Sequence, residues 1–148
     1  MSEQIDISNA VRPSLWRRLA AIFYDSWLIA ALWLLGATID YFIQTALGLQ
    51  PSGSQLPLQI YLAACPFVFF GWFWTHGGQT LGMRAWRLKL LDEHGTPVSW
   101  QQSMRRVAGA YLSAFALGLG YLWILFSSER SAWHDKLSAT RLVLLEKD

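Results

Sequence analysis

The sequence predicts an all-α membrane protein, a small polytopic helical bundle that carries a short cytoplasmic element of two β-strands. Hydrophobic residues make up 53% of the 148 positions, and charged residues make up only 15%. The apolar residues form long blocks instead of the spaced pattern of an amphipathic helix. Blocks at residues 19–43, 58–75 and 107–126 approach or exceed the length of a bilayer-spanning helix. We therefore expect two spanning helices and a third apolar element.

The first block follows a polar stretch and contains one acid. Residues 1–18 are expected to form a polar cytoplasmic arm, and residues 19–145 a single membrane domain. The block is too long for a signal peptide and lacks a convincing cleavage pattern, so it should remain in the mature protein. Asp25 lies inside it. Because a charge within hydrocarbon costs roughly 2.5 kcal/mol or more, Asp25 is expected to have a function or a buried partner.

Two glycines, Gly118 and Gly120, interrupt the third block. A break there would let the helix turn back as a helical hairpin. Irregular backbone at membrane depth must be satisfied by protein or water, so such a hairpin would pack against the other helices. The alternative is one plain crossing, which would place the two ends of the chain on opposite sides of the membrane. The interruption favours the hairpin.

The basic residues flank the apolar blocks in three groups. None lies between Arg18 and Arg84, so the first connection should face outward and the amino terminus inward. A hairpin keeps the last group inside as well, whereas three plain crossings would place it outside, against the positive-inside tendency. We therefore expect a multi-pass protein of the cell inner membrane with both termini cytoplasmic. The groups are Arg12, Arg17 and Arg18; Arg84, Arg87, Lys89, Arg105 and Arg106; and Arg130, Lys136, Arg141 and Lys147.

Two segments outside the blocks have the hydrophobic alternation of a half-buried strand. They are residues 84–91 and residues 140–145. Short strands that expose unpaired backbone groups are expected to find a partner, and pairing these two requires both on one side of the membrane. Between them, Ser99 and Gln102 have the spacing of a capping box, which predicts a helix over 100–117.

Several classes of chemistry are not indicated. The single cysteine, Cys65, excludes an intramolecular disulfide and a Cys-based metal site. The pair His134-Asp135 lacks the ligand spacing that selects a metal, and no P-loop lysine follows the glycines near residue 78. No Ser, His and Asp set has the spacing of a nucleophile and its base. We therefore expect no enzymatic activity, no cofactor and no metal.

The basic residues after the second block form a membrane-surface patch. In so apolar a chain, such a patch suits an anionic lipid surface better than a nucleic acid. The expected partners are the lipid bilayer, with anionic lipid at Arg84, Arg87 and Lys89, and no nucleic acid.

Three stretches carry a resemblance to a known family. They read RRLAAIFYD at 17–25, GQTLG at 78–82 and WHDKLSAT at 133–140. In this order and spacing they resemble the signature stretches of the RDD family of small prokaryotic membrane proteins. The resemblance covers about residues 11–145 and puts the arginine and two aspartates that name the family at Arg18, Asp25 and Asp135. It implies a membrane protein without a settled activity, for which transport has been suggested, including cation–proton exchange in some members.

Helical spacing extends this set of charged residues. Arg18 and Asp25 share a helix face, but they lie about 10.5 Å apart along the axis and cannot pair directly. Side chains lean toward the helix amino terminus, which moves Arg18 toward the head groups. The predicted partner of Asp25 is therefore Arg105 or Arg106. We expect a cluster on the cytoplasmic side with His134 as a candidate proton relay, and its members are Arg18, Asp25, Arg105, Arg106 and Asp135.

Two functions remain open at this point. One is a transport module that exchanges protons or monovalent cations through the buried Asp and Arg residues. A chain of 148 residues would then require a homo-oligomer or a larger membrane complex to enclose a pathway. The other is a non-transporting membrane interaction or assembly protein, in which the buried charges only fix helix packing.

Overall fold

The computed structural model of the protein describes residues 11–49, 55–127 and 131–145, so most of the predicted polar arm lies outside the described residues. The described chain is mostly helical and includes one small sheet. Its elements are α1 (Leu15–Ala46), α2 (Leu56–Thr75), α3 (Leu81–Ala85), β1 (Leu88–Asp92), α4 (Trp100–Phe115), α5 (Leu119–Phe126), α6 (Trp133–Leu137) and β2 (Thr140–Leu144).

Helices α1 and α2 are the two candidate membrane spans. They contain 32 and 20 residues, which corresponds to lengths of about 48 Å and 30 Å. Both are long and apolar enough to cross a bilayer. They contain the first two apolar blocks, so the prediction of two spanning helices is confirmed.

Packing between α1 and α2 compensates for a proline inside α2. Pro66 has no N–H, so the carbonyl of Leu62 loses its partner within the helix. The indole N–H of Trp33 in α1 donates to that carbonyl at 3.0 Å. Nearby, Gly36 of α1 lies against the Tyr61 ring, where an added Cβ would overlap it. The two helices therefore satisfy a backbone group at membrane depth that a single helix would leave exposed.

The third apolar block is divided between α4 and α5. Together the two helices are long and apolar enough for one span, but they are bent by 95°. The bend follows from Leu117 and Gly118, whose φ values of 55° and 77° lie in the left-handed region and end the α4 geometry. Gly120 packs against Ser113, so that a Cβ at this position would collide with the serine side chain. The predicted interruption is confirmed, and α4 ends at Phe115, two residues before the predicted boundary.

The start of α4 is fixed by the predicted capping box. The Ser99 hydroxyl accepts from the Gln102 N–H at 3.3 Å, and the Gln102 side chain accepts from the Ser99 N–H at 3.0 Å. Two backbone donors at the helix end are thus satisfied.

After α5 the chain returns to the end of the bundle at which α4 begins. Helix α6 packs against α4, and β2 pairs antiparallel with β1. In this register Leu88 lies opposite Leu144, and Asp92 lies opposite Thr140. Because β1 precedes α4 and β2 follows α6, the bent helix pair leaves and rejoins the same end of the bundle. The predicted pairing of the two segments is confirmed.

The first strand begins later than predicted. The alternation suggested a strand from Arg84, but residues Leu81–Ala85 form α3. Thr80 initiates this helix, since its hydroxyl accepts from the Met83 N–H at 3.1 Å. The strand begins at Leu88, where the buried side chains Leu88 and Leu90 join the hydrophobic core.

Both outer edges of the sheet are partly covered. The Leu90 N–H donates to the Gly78 carbonyl at 2.7 Å, and the Leu144 N–H donates to the Val11 carbonyl at 2.9 Å. Each strand therefore has backbone partners on its outer side as well as in the other strand.

Candidate functional site

The fold brings one aspartate and two arginines from three helices into direct contact. Arg18 lies in the first turn of α1, Arg106 in α4, and Asp135 in α6. The Arg18 guanidinium donates to Asp135 Oδ2 at 2.7 Å. On the other side, Arg106 forms an ion pair with Asp135 Oδ1 at 2.5 Å. We call these three residues the ion triad. Their side chains are 4 to 6% exposed, so the charges are almost fully removed from solvent.

The surroundings of Asp135 favour its charged form. Burial alone would raise the pKa of this carboxyl, but the guanidiniums of Arg106 and Arg18 outweigh burial. The backbone N–H of Ala132 also donates to Asp135 Oδ2, at 2.9 Å. The pKa of Asp135 therefore lies well below its usual range, and the group is an ionised structural acceptor at neutral pH.

Further partners hold Arg106 in place. Its guanidinium donates to the Thr140 hydroxyl at 2.8 Å. It also lies over the Trp74 ring, 5.4 Å from the ring centroid, in a cation–π arrangement. Arg106 therefore connects α4 to α2, α6 and β2.

His134 is buried beside the triad and is neutral. Its Nε2 lies 3.6 Å from Asp135 Oδ1, and its ring packs on Tyr121 at 4.6 Å between centroids. Burial lowers the pKa of His134 to about 3, and the positive charge of Arg106 acts in the same direction. A proton relay through His134 remains a hypothesis that would have to operate from a neutral imidazole.

The predicted pairing of Asp25 with an arginine is wrong. Asp25 is 2% exposed. Its Oδ2 accepts from the Thr80 hydroxyl at 2.5 Å, and its Oδ1 accepts from the Gly82 N–H at 2.9 Å. Of the two arginines proposed for it, Arg106 pairs with Asp135 and Arg105 is exposed. The physical reason is the short helix α3, whose start lies beside α1 and supplies two donors to the carboxylate, the Thr80 hydroxyl and the Gly82 N–H.

The predicted five-residue cluster therefore divides in two. Arg18, Arg106 and Asp135 meet, Asp25 lies in a separate hydrogen-bonded site, and Arg105 belongs to neither. Arg18 does not extend freely from the start of α1 as expected, because its guanidinium is held in the buried ion pair with Asp135 of α6.

Residues 78–82 build the site around Asp25. Gly82 approaches α1 so closely that a Cβ would collide with the Ala21 carbonyl oxygen and the Asp25 carboxylate. Gly78 has φ of 71° and lies against the Leu90 carbonyl oxygen. Thr80 donates to Asp25 and also caps α3. Thr80 and Gly82 were not predicted as partners of Asp25. The sequence feature that could have indicated them is the GQTLG stretch, which belongs to the same family signature as the stretch ending at Asp25.

Two cavities adjoin the ion triad. The larger, about 430 Å³, has mostly apolar walls from α1, α2, α4 and α5 and also touches Arg18, Asp25, Arg106 and His134. The smaller, about 280 Å³, is polar, and its lining includes Arg18 and Asp135. Arg18 and Leu142 line both cavities, so the two cavities adjoin at these residues.

The remaining predicted binding residues lie apart from the triad. Arg84 is exposed on α3, Arg87 is half-buried in the following turn, and Lys89 is half-buried on β1. Within the described ranges, no three His, Cys, Asp or Glu side chains come together in a group that could hold a metal ion.

A comparison with protein families shows which family the chain belongs to. The model of the RDD family matches residues 12–139, which includes all three residues of the ion triad and the whole Asp25 site. The chain belongs to the RDD family. Neither the curated proteins nor the solved structures include one that this chain matches. Membership and the two apolar helices make this RDD protein a multi-pass membrane protein. The arginine and two aspartates of the RDD pattern divide into one buried ion pair and one separate acid.

Proposed function

We propose that this RDD protein is a membrane interaction or assembly protein, in which the buried charges fix helix packing and do not exchange ions. The observation that supports the proposal is that both buried acids are held by partners from other elements of the fold. Asp135 has two arginines as partners, and both oxygens of Asp25 accept hydrogen bonds. In the described chain these are the buried acids. Binding of a proton or a cation to either acid would have to compete with these partners.

Charge balance supports the same conclusion. A cation entering the triad would meet two guanidiniums and one carboxylate. The low pKa of Asp135 also opposes protonation at neutral pH. An exchanger needs a group whose occupancy changes during the cycle, and Asp135 is held in one state.

The membrane-facing helices are the proposed surface for the interaction. Because Gly78 and Val11 already occupy the outer edges of the sheet, a partner strand has little free backbone to pair with. Large apolar side chains are exposed along the second half of α1, including Leu34, Ile39 and Phe42. We propose that this face contacts lipid and either a second copy of the chain or another subunit of a larger complex.

Flux measurements test the proposal directly. Purified protein in sealed liposomes under a pH gradient should give no cation-dependent proton movement above that of empty liposomes. Asp25→Asn and Asp135→Asn should lower the free energy of unfolding in micelles. Asp40→Asn is the matched control, since Asp40 lies in the same helix as Asp25 and its carboxylate accepts from the Gln44 side chain of that helix, at 2.6 Å. The proposal would be contradicted by a wild-type flux that Asp25→Asn and Asp135→Asn abolish while both variants remain folded, and that Asp40→Asn retains.

Transport remains a second candidate because one observation favours it. Arg18, one member of the Arg18–Asp135 pair, lines both the larger cavity and the polar pocket. In this candidate, opening of the pair would join the two spaces. In that case the ion triad would be a gate, the substrate would be a proton or monovalent cation, and a homo-oligomer would complete the pathway. The flux experiment distinguishes this candidate from the first.

We also propose an inner-membrane location with both termini cytoplasmic. The return of β2 to β1 and the distribution of basic residues support it. A reporter that is active only outside the membrane, fused after Asp148, should give no signal. The same reporter inserted in the connection at residues 50–54 should be active. Strong external activity of the carboxyl-terminal fusion would contradict this topology.

A further inference from the structure

The smaller cavity is a basic pocket at the end of the bundle where α1 begins. We define this basic pocket by Arg12 before α1, Lys136 on α6, and Arg141 on β2, which line a space of about 280 Å³. Its residues come from elements that are distant in sequence, so it exists only in the folded protein. None of these three residues belongs to the ion triad.

Positive charge is in excess in the pocket. Four basic residues line it, and the acids in the lining are Glu93 and Asp135, which leaves a net charge of +2. Asp135 is already paired with Arg18 and, from outside the pocket, with Arg106. The polar residues Ser131 and Thr140 also line the space. An anion with several oxygen acceptors matches this set of groups.

The position of the pocket indicates where such an anion comes from. Arg12 lies three residues before α1, and Arg18 lies in its first turn. The end of a spanning helix lies at the level of the lipid head groups, where basic pockets bind anionic lipid. A guanidinium can contact two phosphate oxygens at once, and a lysine adds a point charge.

We propose that the basic pocket binds the phosphate of one anionic phospholipid head group, with Arg12, Lys136 and Arg141 as its cationic contacts. This site differs from the surface patch of Arg84, Arg87 and Lys89, whose residues are exposed or half-buried and line neither of the two cavities. The patch attracts anionic membranes in general, whereas the pocket holds a single lipid.

Two triple variants of equal charge separate the pocket from the patch. Native mass spectrometry of the full-length protein in neutral micelles counts bound phosphatidylglycerol at fixed ionic strength. The pocket variant R12Q/K136Q/R141Q should bind the lipid roughly 100-fold more weakly than the wild type. The patch variant R84Q/R87Q/K89Q removes the same number of charges and should weaken binding threefold or less. Equal losses in both variants, or undiminished binding by the pocket variant, would overturn the proposal.

Additional variants and a competitor test whether positive charge holds the lipid and whether the ligand is a lipid at all. The charge-preserving variant R12K/K136R/R141K should bind within threefold of the wild type, and a loss as large as that of the glutamine variant would show that charge is not the cause. If R12Q/K136Q/R141Q does not fold, the single variant K136Q changes an exposed residue and should weaken lipid binding about fivefold. Unchanged binding by K136Q would count against the site.

Glycerol phosphate should not displace the lipid at equal concentration. Displacement would assign the pocket to soluble phosphate esters and overturn the lipid assignment.

Discussion

Arg106→Gln should lower the free energy of unfolding by about 3 kcal/mol, whereas Arg105→Gln should change it by about 0.5 kcal/mol or less. The two arginines are adjacent in sequence and identical in chemistry. Arg106 is buried between Asp135, Thr140 and Trp74, and Arg105 is exposed. Removal of Arg106 leaves Asp135 with only one of its two cationic partners. The expected cost lies at the lower end of the range for a broken buried pair because Arg18 remains.

Equilibrium unfolding in mixed micelles, followed by circular dichroism, measures both changes. The adjacent variant is the control for the loss of a positive charge near the membrane surface. Equal effects of the two substitutions would show that the burial of Arg106 in the ion triad is not what stabilises the protein.

Gly82→Ala should destabilise the protein by about 3 kcal/mol, the upper end of the usual range for overpacking. The added methyl group would meet the Ala21 carbonyl oxygen, which belongs to the backbone of α1 and cannot rotate away. It would also push against the Asp25 carboxylate and lengthen the hydrogen bond that the Gly82 N–H donates. The site around Asp25 should therefore open, and α3 should separate from α1.

Gly77→Ala is the matched control for that substitution. An added Cβ at Gly77 meets nothing within 4 Å, and its φ is not in the left-handed region. The change should alter the free energy of unfolding by about 0.5 kcal/mol or less. A tolerated Gly82→Ala, with folded yield and unfolding midpoint equal to those of Gly77→Ala, would contradict the close contact of α1 and α3.

Much of the fold follows from local sequence signals. The capping box at Ser99 fixes the start of α4, because it depends on two residues three positions apart. The break at Gly118 follows from the ease with which glycine adopts a positive φ. The pairing of the strands follows from two alternating segments that must lie on one side of the membrane. These features need no knowledge of distant contacts.

The partner of Asp25 could not be predicted in the same way. Both donors come from the start of a five-residue helix that was not predicted, and the alternation assigned its last two residues, Arg84 and Ala85, to a strand. Without α3, the carboxylate has no visible donor near its own depth, and an arginine becomes the best alternative. The absence of α3 from the prediction therefore led to the wrong partner for Asp25.

The choice between Arg105 and Arg106 depended on helix phase. Ser103, Arg106 and Val107 are buried on one face of α4, with the spacing of three and four residues that places side chains on one side of a helix. Arg105 lies off this face. A helical projection would have favoured Arg106, but only the contact with α6 shows that its partner is Asp135.

A pair of double-mutant cycles tests whether the two acids have separate partners and whether Asp135 alone is paired with Arg106. One cycle combines Asp135→Asn with Arg106→Gln, and the other combines Asp25→Asn with Arg106→Gln. We predict a coupling free energy of about 1 kcal/mol or more in the first cycle and additive effects within about 0.5 kcal/mol in the second. Additivity in the first cycle together with coupling in the second would contradict the account and restore Asp25 as the partner of Arg106.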